Sequence, residues 1–356
     1  MKICHIIFSF TIGGAETMLV DIINEQVKTE NVSLIIVNNL INENLINTIN
    51  SQVNIIRINR IPSSKNPIPI LKINQKLLKI NPNIIHCHES KGINLLLPHY
   101  KKKAVLTVHN TTTSQTFLLR KYKGLFAISK TVKQDIFRKY NLNSKVIYNG
   151  IAISRIKTKN SKSENSTFRI VQVGRLKHIH KGQHLLIQAI RQLVYDHRKT
   201  NFHVDFIGDG ESFLFLNKLV NDYNLGNYIT FLGEKDRDYV YEHLCEYDLL
   251  IQPSLCEGFG LTVVEAMAAK ISVLVSANEG PMEIIEDGKY GCYFNIENEK
   301  ELSQKILFIE AYYNDNENRQ MIENAYQYVI MNFDIKNTAL NYINAYILIL
   351  KKNMYA

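Results

Sequence analysis

The stretch 248-DLLIQPSLCEGFGLTVVEAMA-268 predicts a strand, a turn, a glycine loop and a helix in direct succession. The apolar run from Asp248 to Gln252 is typical of a buried strand, and Pro253 ends it in a turn. We expect the helix to begin at about Leu261, just after the Gly-x-Gly loop. A helix N-terminus that follows a strand end in this way presents backbone N–H groups to an anion, so the stretch predicts an anion-binding unit of a parallel α/β sheet.

The rest of the chain repeats this alternation. Short β-branched runs alternate with amphipathic segments along residues 1–150, and again from Phe168 onward. Near-continuous apolar strands separated by helices predict parallel sheets covered on both faces. Residues 154–166, between the two regions, are polar and lack hydrophobic periodicity, which predicts a linker. We therefore expect an α/β fold of two tandem doubly wound Rossmann-like domains, with a cleft between them and ligands at the carboxyl ends of the strands.

Composition narrows the class of protein. The 356 residues are 46% hydrophobic and 21% charged, which is typical of a globular protein and excludes a disordered chain, a collagen and a coiled coil. Five scattered cysteines without a CxxC pair disfavour a disulfide framework or a structural zinc site, and fit a reducing compartment. No apolar stretch reaches the 18 or so residues that span a bilayer. We expect a cytosolic protein, or one that lies against a membrane without crossing it.

The charge is distributed unevenly. Residues 1–150 carry 20 lysine and arginine residues against 7 acidic ones, whereas the remainder carries 22 against 26, so that the net charges are +13 and −4. This asymmetry predicts two domains, and an anionic partner for the first: a membrane surface, a phosphate-bearing acceptor or nucleic acid. No RNA- or DNA-binding signature accompanies it, so we expect no nucleic-acid partner.

Several motifs extend the pattern of the first stretch. Seven residues separate Glu257 from Glu265 in a glycine-rich context. The chain resembles the retaining glycosyltransferases of the GT-B fold, family 4 type, whose E-x7-E motif these residues match. The resemblance runs nearly the full length of the chain. It also includes Gly13-Gly14-Ala15-Glu16, Asn149-Gly150, Val173-Gly174-Arg175-Leu176, Lys181-Gly182, Ile207-Gly208-Asp209-Gly210-Glu211 and Phe231-Leu232-Gly233. Tyr148 departs from it, because proline is frequent before the Asn-Gly turn in this family.

The resemblance implies that the two domains bind different substrates. Residues 1–150 plus 335–356 would form an N-terminal acceptor-binding Rossmann-like domain, to which the last helix crosses back. Residues 151–334 would form a C-terminal nucleotide-sugar-binding Rossmann-like domain.

The resemblance also implies roles for individual residues. Arg175 and Lys181 would clamp the donor diphosphate, and a leaving diphosphate does need cationic neutralisation as its charge develops. Glu265 would bind the ribose hydroxyls, Glu257 the transferred sugar, and His109, at a strand end, would contact the same sugar. The implied catalytic residues are His109, Glu257, Arg175 and Lys181. The implied donor-binding residues are Gly13, Gly14, Arg175, Lys181, Gly208, Gly233, Glu257, Gly258, Phe259, Gly260, Leu261, Thr262 and Glu265.

Each of these residues also has a structural interpretation. Glu265 could be an exposed acid in the first turn of a helix, Arg175 and Lys181 could be solvated surface charges, and a histidine at a strand end is often a satisfied polar residue. Glu16, at a helix start, is more often an acid that stabilises the helix dipole than a ligand.

Two segments look like metal ligands, and we expect neither to bind a metal. In His86-Cys87-His88-Glu89, alternate side chains of a strand point to opposite faces, so at most two could reach one ion, whereas zinc takes three or four ligands. We interpret these residues as lining the cleft at a strand end. Asp236-Arg237-Asp238 has a D-x-D spacing but begins a polar turn, so we expect Asp236 to cap a helix. No metal and no cofactor are expected.

The resemblance implies a retaining, metal-independent hexosyltransferase that uses a nucleotide-diphosphate sugar, most simply a uridine one, as co-substrate. We expect the basic domain to bind a lipid-linked or oligosaccharide acceptor at the inner face of a bacterial membrane, with the protein cytoplasmic and peripherally attached, in O-antigen or capsule synthesis. Two alternatives stay open: a sugar-nucleotide epimerase of the same fold, and a non-catalytic basic binding partner.

Overall fold

The computed structural model describes residues 1–11, 13–111, 116–159 and 167–352. They divide into two compact units, of which the first comprises Met1–Ile151 together with Phe333–Ala356, and the second Ala152–Asn332. Each unit contains a parallel sheet with helices along it. The predicted pair of Rossmann-like α/β domains is confirmed.

The first unit has a seven-stranded sheet in its described residues. Its strands are β1 (Lys2–Ile7), β2 (Asn31–Asn38), β3 (Asn54–Arg60), β4 (Ile84–Cys87), β5 (Ala104–Val108), β6 (Gly124–Ala127) and β7 (Lys145–Val146). Their order is β3-β2-β1-β4-β5-β6-β7. The sheet grows outward from β1 on one side and from β4 on the other, so the strand order reverses between β1 and β4, the place where doubly wound sheets bind ligands.

The helices of the first unit follow its strands. They are α1 (Gly14–Gln26), α2 (Glu43–Asn47), α3 (Ile68–Ile80), α4 (Pro98–Lys101), α5 (Thr116–Leu119) and α6 (Lys130–Tyr140), with a 3-10 turn at Ser90–Leu95. Nearly every residue of β1, β2, β4 and β5 is buried, as expected for strands covered on both faces.

The second unit repeats the design with six strands in its described residues. They are β8 (Phe168–Val173), β9 (Phe202–Ile207), β10 (Ile229–Gly233), β11 (Leu249–Gln252), β12 (Ser272–Ser276) and β13 (Cys292–Phe294). The order is β10-β9-β8-β11-β12-β13, which reverses between β8 and β11.

The helices of the second unit lie along this sheet. They are α7 (His178–Lys181), α8 (Gln183–Tyr195), α9 (Phe213–Asp222), α10 (Arg237–His243), α11 (Leu261–Ala268), α12 (Glu279–Ile284), α13 (Glu299–Ala311) and α14 (Asn316–Asn332), with 3-10 turns at Ile153–Arg155 and Leu244–Glu246. The predicted start of α11 at Leu261 is confirmed, and the predicted D-x-D cap is too, because the Asp236 side chain accepts a hydrogen bond from the Tyr239 N–H at the start of α10.

The last helix, α15 (Ile335–Lys352), belongs to the first unit, where it packs against α1. Its start is fixed against the Asn149-Gly150 turn, since a Cβ on Gly150 would lie 2.7 Å from the Ile335 Cα. Thr338 also donates a hydrogen bond through Oγ1 to the Tyr148 carbonyl oxygen at 3.0 Å. Only glycine allows this close approach.

Gly182 is a second glycine whose conformation is required. It joins α7 to α8 with a φ of +65°, and a Cβ there would lie 1.9 Å from the carbonyl oxygen of Pro253, just after β11. The backbone after β8 and the backbone after β11 therefore touch at this point.

We predict that Gly182→Ala destabilises the second unit. The added methyl group meets backbone in a left-handed conformation, and we expect a loss of about 1 to 3 kcal/mol in the free energy of unfolding. Gly226→Ala is the matched control, because nothing lies within 4 Å of a Cβ there and its φ is not positive. Urea unfolding of both variants, followed by circular dichroism, measures the difference; equal midpoints would contradict the prediction.

Candidate functional site

The carboxyl ends of β8 and β11 meet at the point where the second sheet reverses its strand order. The chain leaves β8 through Gly174, whose φ is +151°, and next reaches Arg175. The neighbouring strand β9 leaves through Gly208, where a Cβ would lie 2.2 Å from the Gly174 carbonyl oxygen. The Gly208 N–H in turn donates to the Gly233 carbonyl oxygen at 2.9 Å. The three glycines allow the backbone segments that follow β8, β9 and β10 to approach one another closely.

The predicted glycine loop follows β11. Gly260 is the N-terminal cap of α11 in a left-handed conformation, with a φ of +107°. Leu261 and Thr262 form the first helical turn and are half-buried, as is Gly258, whereas the Phe259 side chain is buried in the loop. The N-terminal end of this eight-residue helix carries the partial positive charge that favours an anion.

Glu257 stands in front of this helix in a hydrogen-bonded cluster. Its Oε2 accepts from Lys181 Nζ at 2.5 Å and from Gln252 Nε2 at 2.8 Å. Gln252, the last residue of β11, also accepts a longer hydrogen bond of 3.4 Å from Thr262 Oγ1. The structure thus brings together Lys181, Glu257 and the first turn of α11. It adds Gln252, which nothing in the sequence singled out beyond its place at a strand end.

Arg175 is placed differently. Its guanidinium is exposed and pairs with Glu211, with both Nε and Nη2 at 3.1 Å from Oε2. Lys177 Nζ lies 3.5 Å from the other oxygen of the same carboxylate. A hydrogen bond from its own backbone N–H, and then the charges of Arg175 and Lys177, hold the pKa of Glu211 below its usual range. Arg175 and Lys181 therefore have different acidic partners and do not form one preformed clamp.

Glu265 lies in the second turn of α11 and is 7% exposed. The interpretation of this residue as an exposed first-turn acid is therefore wrong. Its Oε1 lies 3.9 Å from Nε of Arg237, the first residue of α10. The sequence analysis did not single out Arg237 as a partner, because the contact joins residues 28 positions apart along the chain.

The first unit presents a helix N-terminus at the corresponding edge of its sheet. Gly13 caps α1 and Gly14 begins it. Glu16 folds back over this end, since a Cβ on Gly13 would lie 2.5 Å from the Glu16 carboxylate. Burial raises the pKa of Glu16, against the effect of a hydrogen bond from its own backbone. The structure thus places Glu16 as the acid at a helix start that the sequence predicted.

His86 and His88 correct one expectation. Their rings stack at 4.5 Å, so they do share a face of β4, as predicted. The prediction that they line a cleft is wrong for His86, which is fully buried and bonded to Tyr346 of α15 and Thr107 of β5, each at 2.7 Å. The paired strand β1 adds a third imidazole, His5, whose Nδ1 lies 3.1 Å from His88 Nε2. Sequence reasoning missed His5, because its place beside His86 depends on strand register.

The three histidines are the group of described residues that could hold a metal ion, because their nitrogen atoms lie within 4.8 Å of one another. Two features favour a hydrogen-bonded network instead. Both nitrogens of His86 already have hydrogen-bond partners, and His5 Nε2 bonds Gln26 at 2.8 Å. The rings of His5 and His86 both stack on His88, and imidazole lone pairs, which lie in the ring plane, do not converge on one ion from stacked rings.

Burial keeps these imidazoles neutral. It lowers the pKa of His5 to about 4 and those of His86 and His88 well below their usual range. His109, directly after β5, stacks on His88 at 5.7 Å, and burial lowers its pKa to about 4. At neutral pH His109 therefore offers a neutral imidazole rather than a cation.

All five cysteines lie in the described residues, and each is a free thiol. Among the described residues, no helix combines the length and the apolar character needed to cross a bilayer.

Two families match consecutive parts of the chain. Residues 12–155 match Glycosyltransferase Family 4, and residues 154–328 match Glycosyl transferases group 1. The chain is 29% identical, over 257 residues, to the uncharacterized glycosyltransferase MJ1178 of Methanocaldococcus jannaschii, covering 64% of this chain and 68% of that protein.

Solved structures share the fold. Anabaena Alr3699/HepE in complex with UDP-glucose superposes with a TM-score of 0.80 at 22% identity, covering 97% of this chain and 99% of that one. The lipopolysaccharide outer core galactosyltransferase WaaB superposes with a TM-score of 0.73 at 17% identity, covering 98% and 99%.

Proposed function

Because the chain is a glycosyltransferase of GT-B type, with a family 4 domain followed by a group 1 domain, we propose that it transfers a hexose from a uridine diphosphate sugar to an acceptor, with retention of configuration. The observation that carries this proposal is the Lys181–Glu257–Gln252 cluster in front of the N-terminus of α11. It combines an anion site with a hydrogen-bonding carboxylate, as a diphosphate sugar requires. The complex of Alr3699/HepE with UDP-glucose supports the choice of uridine.

In this proposal the second unit holds the donor. The diphosphate lies at the N-terminus of α11, where Lys181 and Arg175 neutralise the charge that develops on it as it leaves. Arg175 reaches it by exchanging Glu211 for the phosphate. Glu265 accepts hydrogen bonds from the ribose, while Glu257 contacts the transferred sugar. Lys181 and Arg175 supply the positive charge that a metal ion would otherwise supply, so we propose a metal-independent reaction without a cofactor.

We propose that the configuration at the anomeric carbon is retained by a front-face mechanism. A double displacement needs a carboxylate free to attack the anomeric carbon. The Glu257 carboxylate is instead engaged through Oε2 by Lys181 and Gln252, which suits a group that binds hydroxyls rather than a nucleophile. Departure of the diphosphate and attack of the acceptor on the same side of the sugar fit this arrangement.

The acceptor is proposed to be an anionic lipid-linked saccharide bound by the basic first unit, in the synthesis of a bacterial surface polysaccharide such as O-antigen or capsule. The protein would then be cytoplasmic and attached to the inner face of the membrane. The outward side of α3 supports this placement: Leu71 and Leu78 are 62% and 73% exposed, and Ile68 is exposed beside them. The lysines Lys72, Lys76 and Lys79 of the same helix are exposed too, which is the pattern of an interfacial helix.

Three other basic residues of the first unit interact with groups of the same unit. Lys103 donates to the Pro82 carbonyl oxygen and Arg120 to that of Tyr140, while Lys121 lies over the ring of the exposed Phe117. The α3 face is therefore the surface on which we base the membrane proposal.

A thermal-shift panel of nucleotide sugars tests the donor, since a ligand at 100 times its dissociation constant adds about 2.7 kcal/mol of stability. We expect a uridine diphosphate sugar to stabilise the protein, and Glu265→Ala to weaken its binding, because the ribose hydroxyls lose their acceptor. The exposed Glu317→Ala serves as the control. Unchanged donor affinity of Glu265→Ala by calorimetry would refute the assigned role, and formation of an epimerised nucleotide sugar without any acceptor would favour the epimerase alternative.

Lys181→Ala and Arg175→Ala should lower kcat more than they weaken donor binding, because the diphosphate gains charge in the transition state. We expect each to raise the barrier by about 2 to 4 kcal/mol. Steady-state kinetics of both variants provide the measurement. Lys199→Ala, which removes an exposed cation of the same unit, is the control. Wild-type kinetics in either variant would mean that the diphosphate binds elsewhere.

Vesicle sedimentation tests the membrane proposal. We expect binding to anionic but not to zwitterionic vesicles, with loss at high salt, because each basic residue near the surface contributes about 1 kcal/mol. Lys72→Glu and Lys76→Glu together should abolish binding, whereas Lys133→Glu, on α6 of the same unit, should change it little. Binding that is independent of lipid charge and salt would refute the proposal.

A further inference from the structure

Gln252, the last residue of β11, is a buried amide at the carboxyl end of an otherwise apolar strand. The preceding residues of β11, Leu249–Ile251, are apolar and fully buried, as is usual for a central parallel strand. Gln252 itself is 5% exposed, and strand pairing places it opposite Val275 of β12. Its amide connects two parts of the candidate site: Nε2 donates to Glu257 Oε2 at 2.8 Å, and Oε1 accepts from Thr262 Oγ1 at 3.4 Å.

The two partners of Gln252 determine the direction of its amide. A carboxylate only accepts hydrogen bonds, so the NH₂ group faces Glu257 and the carbonyl oxygen faces the hydroxyl of Thr262. The loop backbone also lies close to the amide, since a Cβ on Gly260 would be 3.3 Å from Gln252 Oε1. The NH₂ group of Gln252 is therefore held in place against Oε2 of Glu257.

The two oxygens of the Glu257 carboxylate differ in their surroundings. Oε2 accepts from both Lys181 and Gln252, whereas no group of the described residues donates a hydrogen bond to Oε1. The Glu257 side chain is 16% exposed, so it is not closed off from a ligand. One oxygen is therefore bound by the protein, and the other is available to accept a hydrogen bond from a ligand.

Lys181 and Gln252 hold Oε2 in different ways. Lys181 reaches it through a flexible four-carbon side chain that is 32% exposed, and in the proposed function the same ammonium group binds the donor diphosphate. Gln252 is neutral, buried and carried by a paired strand, so a diphosphate does not compete for it. Gln252 is thus the partner that continues to orient Glu257 when the donor binds.

We propose that Gln252 is a positioning residue for recognition of the transferred sugar. It fixes Oε2 of Glu257, so that Oε1 accepts a hydrogen bond from a hydroxyl group of the sugar. The inference deepens the proposed function and rests on it, because it takes the ligand of the second unit to be a nucleotide-diphosphate sugar. Gln252 does not touch the sugar, and its loss lets the carboxylate turn, which weakens binding of the sugar but not of the nucleotide.

Calorimetry with UDP-glucose and with UDP separates the sugar from the nucleotide. Gln252→Met keeps the length of the side chain but removes the donor. We expect it to raise the dissociation constant of UDP-glucose about tenfold, as for a lost hydrogen bond to a charged group, and that of UDP less than about twofold. Gln252→Glu, which places a second carboxylate against Glu257, should weaken UDP-glucose binding at least as much.

The matched control is Gln192→Met. Gln192 is a half-buried glutamine of the same unit that accepts a hydrogen bond from Ser303 Oγ at 2.9 Å, and we expect its loss to leave both affinities unchanged. Urea unfolding midpoints show which variants are folded. If Gln252→Met does not fold, Gln252→Glu, which keeps the size and shape of the side chain, provides the test.

A double-mutant cycle tests whether Gln252 acts through Glu257. Glu257→Ala should weaken binding of UDP-glucose, and adding Gln252→Met should cause no further loss, because no carboxylate is left to position. Additive losses in the cycle, an unchanged affinity of Glu257→Ala, or equal losses for UDP and UDP-glucose in Gln252→Met would each overturn the inference.

The wild-type protein tests the proposed function separately. If it binds UDP-glucose and UDP but the Gln252 variants bind both as tightly, the inference is wrong and the uridine donor stands. If it binds UDP-glucose no more tightly than UDP, the site does not hold the sugar, which also overturns the inference alone. If it binds neither ligand, the donor proposal fails and the inference fails with it.

Discussion

Parallel pairing is the constraint on which both candidate sites depend. Because the described strands of each sheet pair in parallel, their carboxyl ends all lie at one edge, and the reversal of strand order leaves a place there that no crossing helix covers. In the second unit this place holds Lys181, Glu257 and the start of α11. In the first unit it holds Glu89 and the start of α1. One topological rule thus produces two polar sites in a chain whose strands are otherwise apolar.

The two sites differ in how their charges are balanced. In the second unit a cation meets each acid: Lys181 bonds Glu257, and Arg175 bonds Glu211. Lys181 and Arg175 are cations that an anionic ligand could bind in place of these carboxylates. In the first unit burial, and to a smaller extent the charge of Glu16, raise the pKa of Glu89 to about 7.

Buried polar groups connect α15 to the sheet of the first unit. Tyr346 and Thr107 occupy both nitrogens of His86, and His5 bridges His88 to Gln26 of α1. These hydrogen bonds form only when α15 and α1 pack in this position on the sheet, so they favour that packing. The return of the chain to its first unit therefore rests on specific bonds as well as on apolar contact.

The sequence determined what depends on neighbours along the chain. The strand, glycine loop and helix around residues 248–268 and the Asp236 cap followed from local periodicity and turn chemistry, and the structure has them where they were expected. The short strand β13 and helix α12 carried too little periodicity to be predicted.

Only the tertiary structure decided what lies beside what. His5 meets His88 because β1 pairs with β4, Gln252 and Lys181 converge on Glu257 because β11 pairs with β8, and Glu265 is buried beside Arg237 rather than exposed. These contacts depend on strand order and register between segments far apart in sequence, which no local pattern encodes.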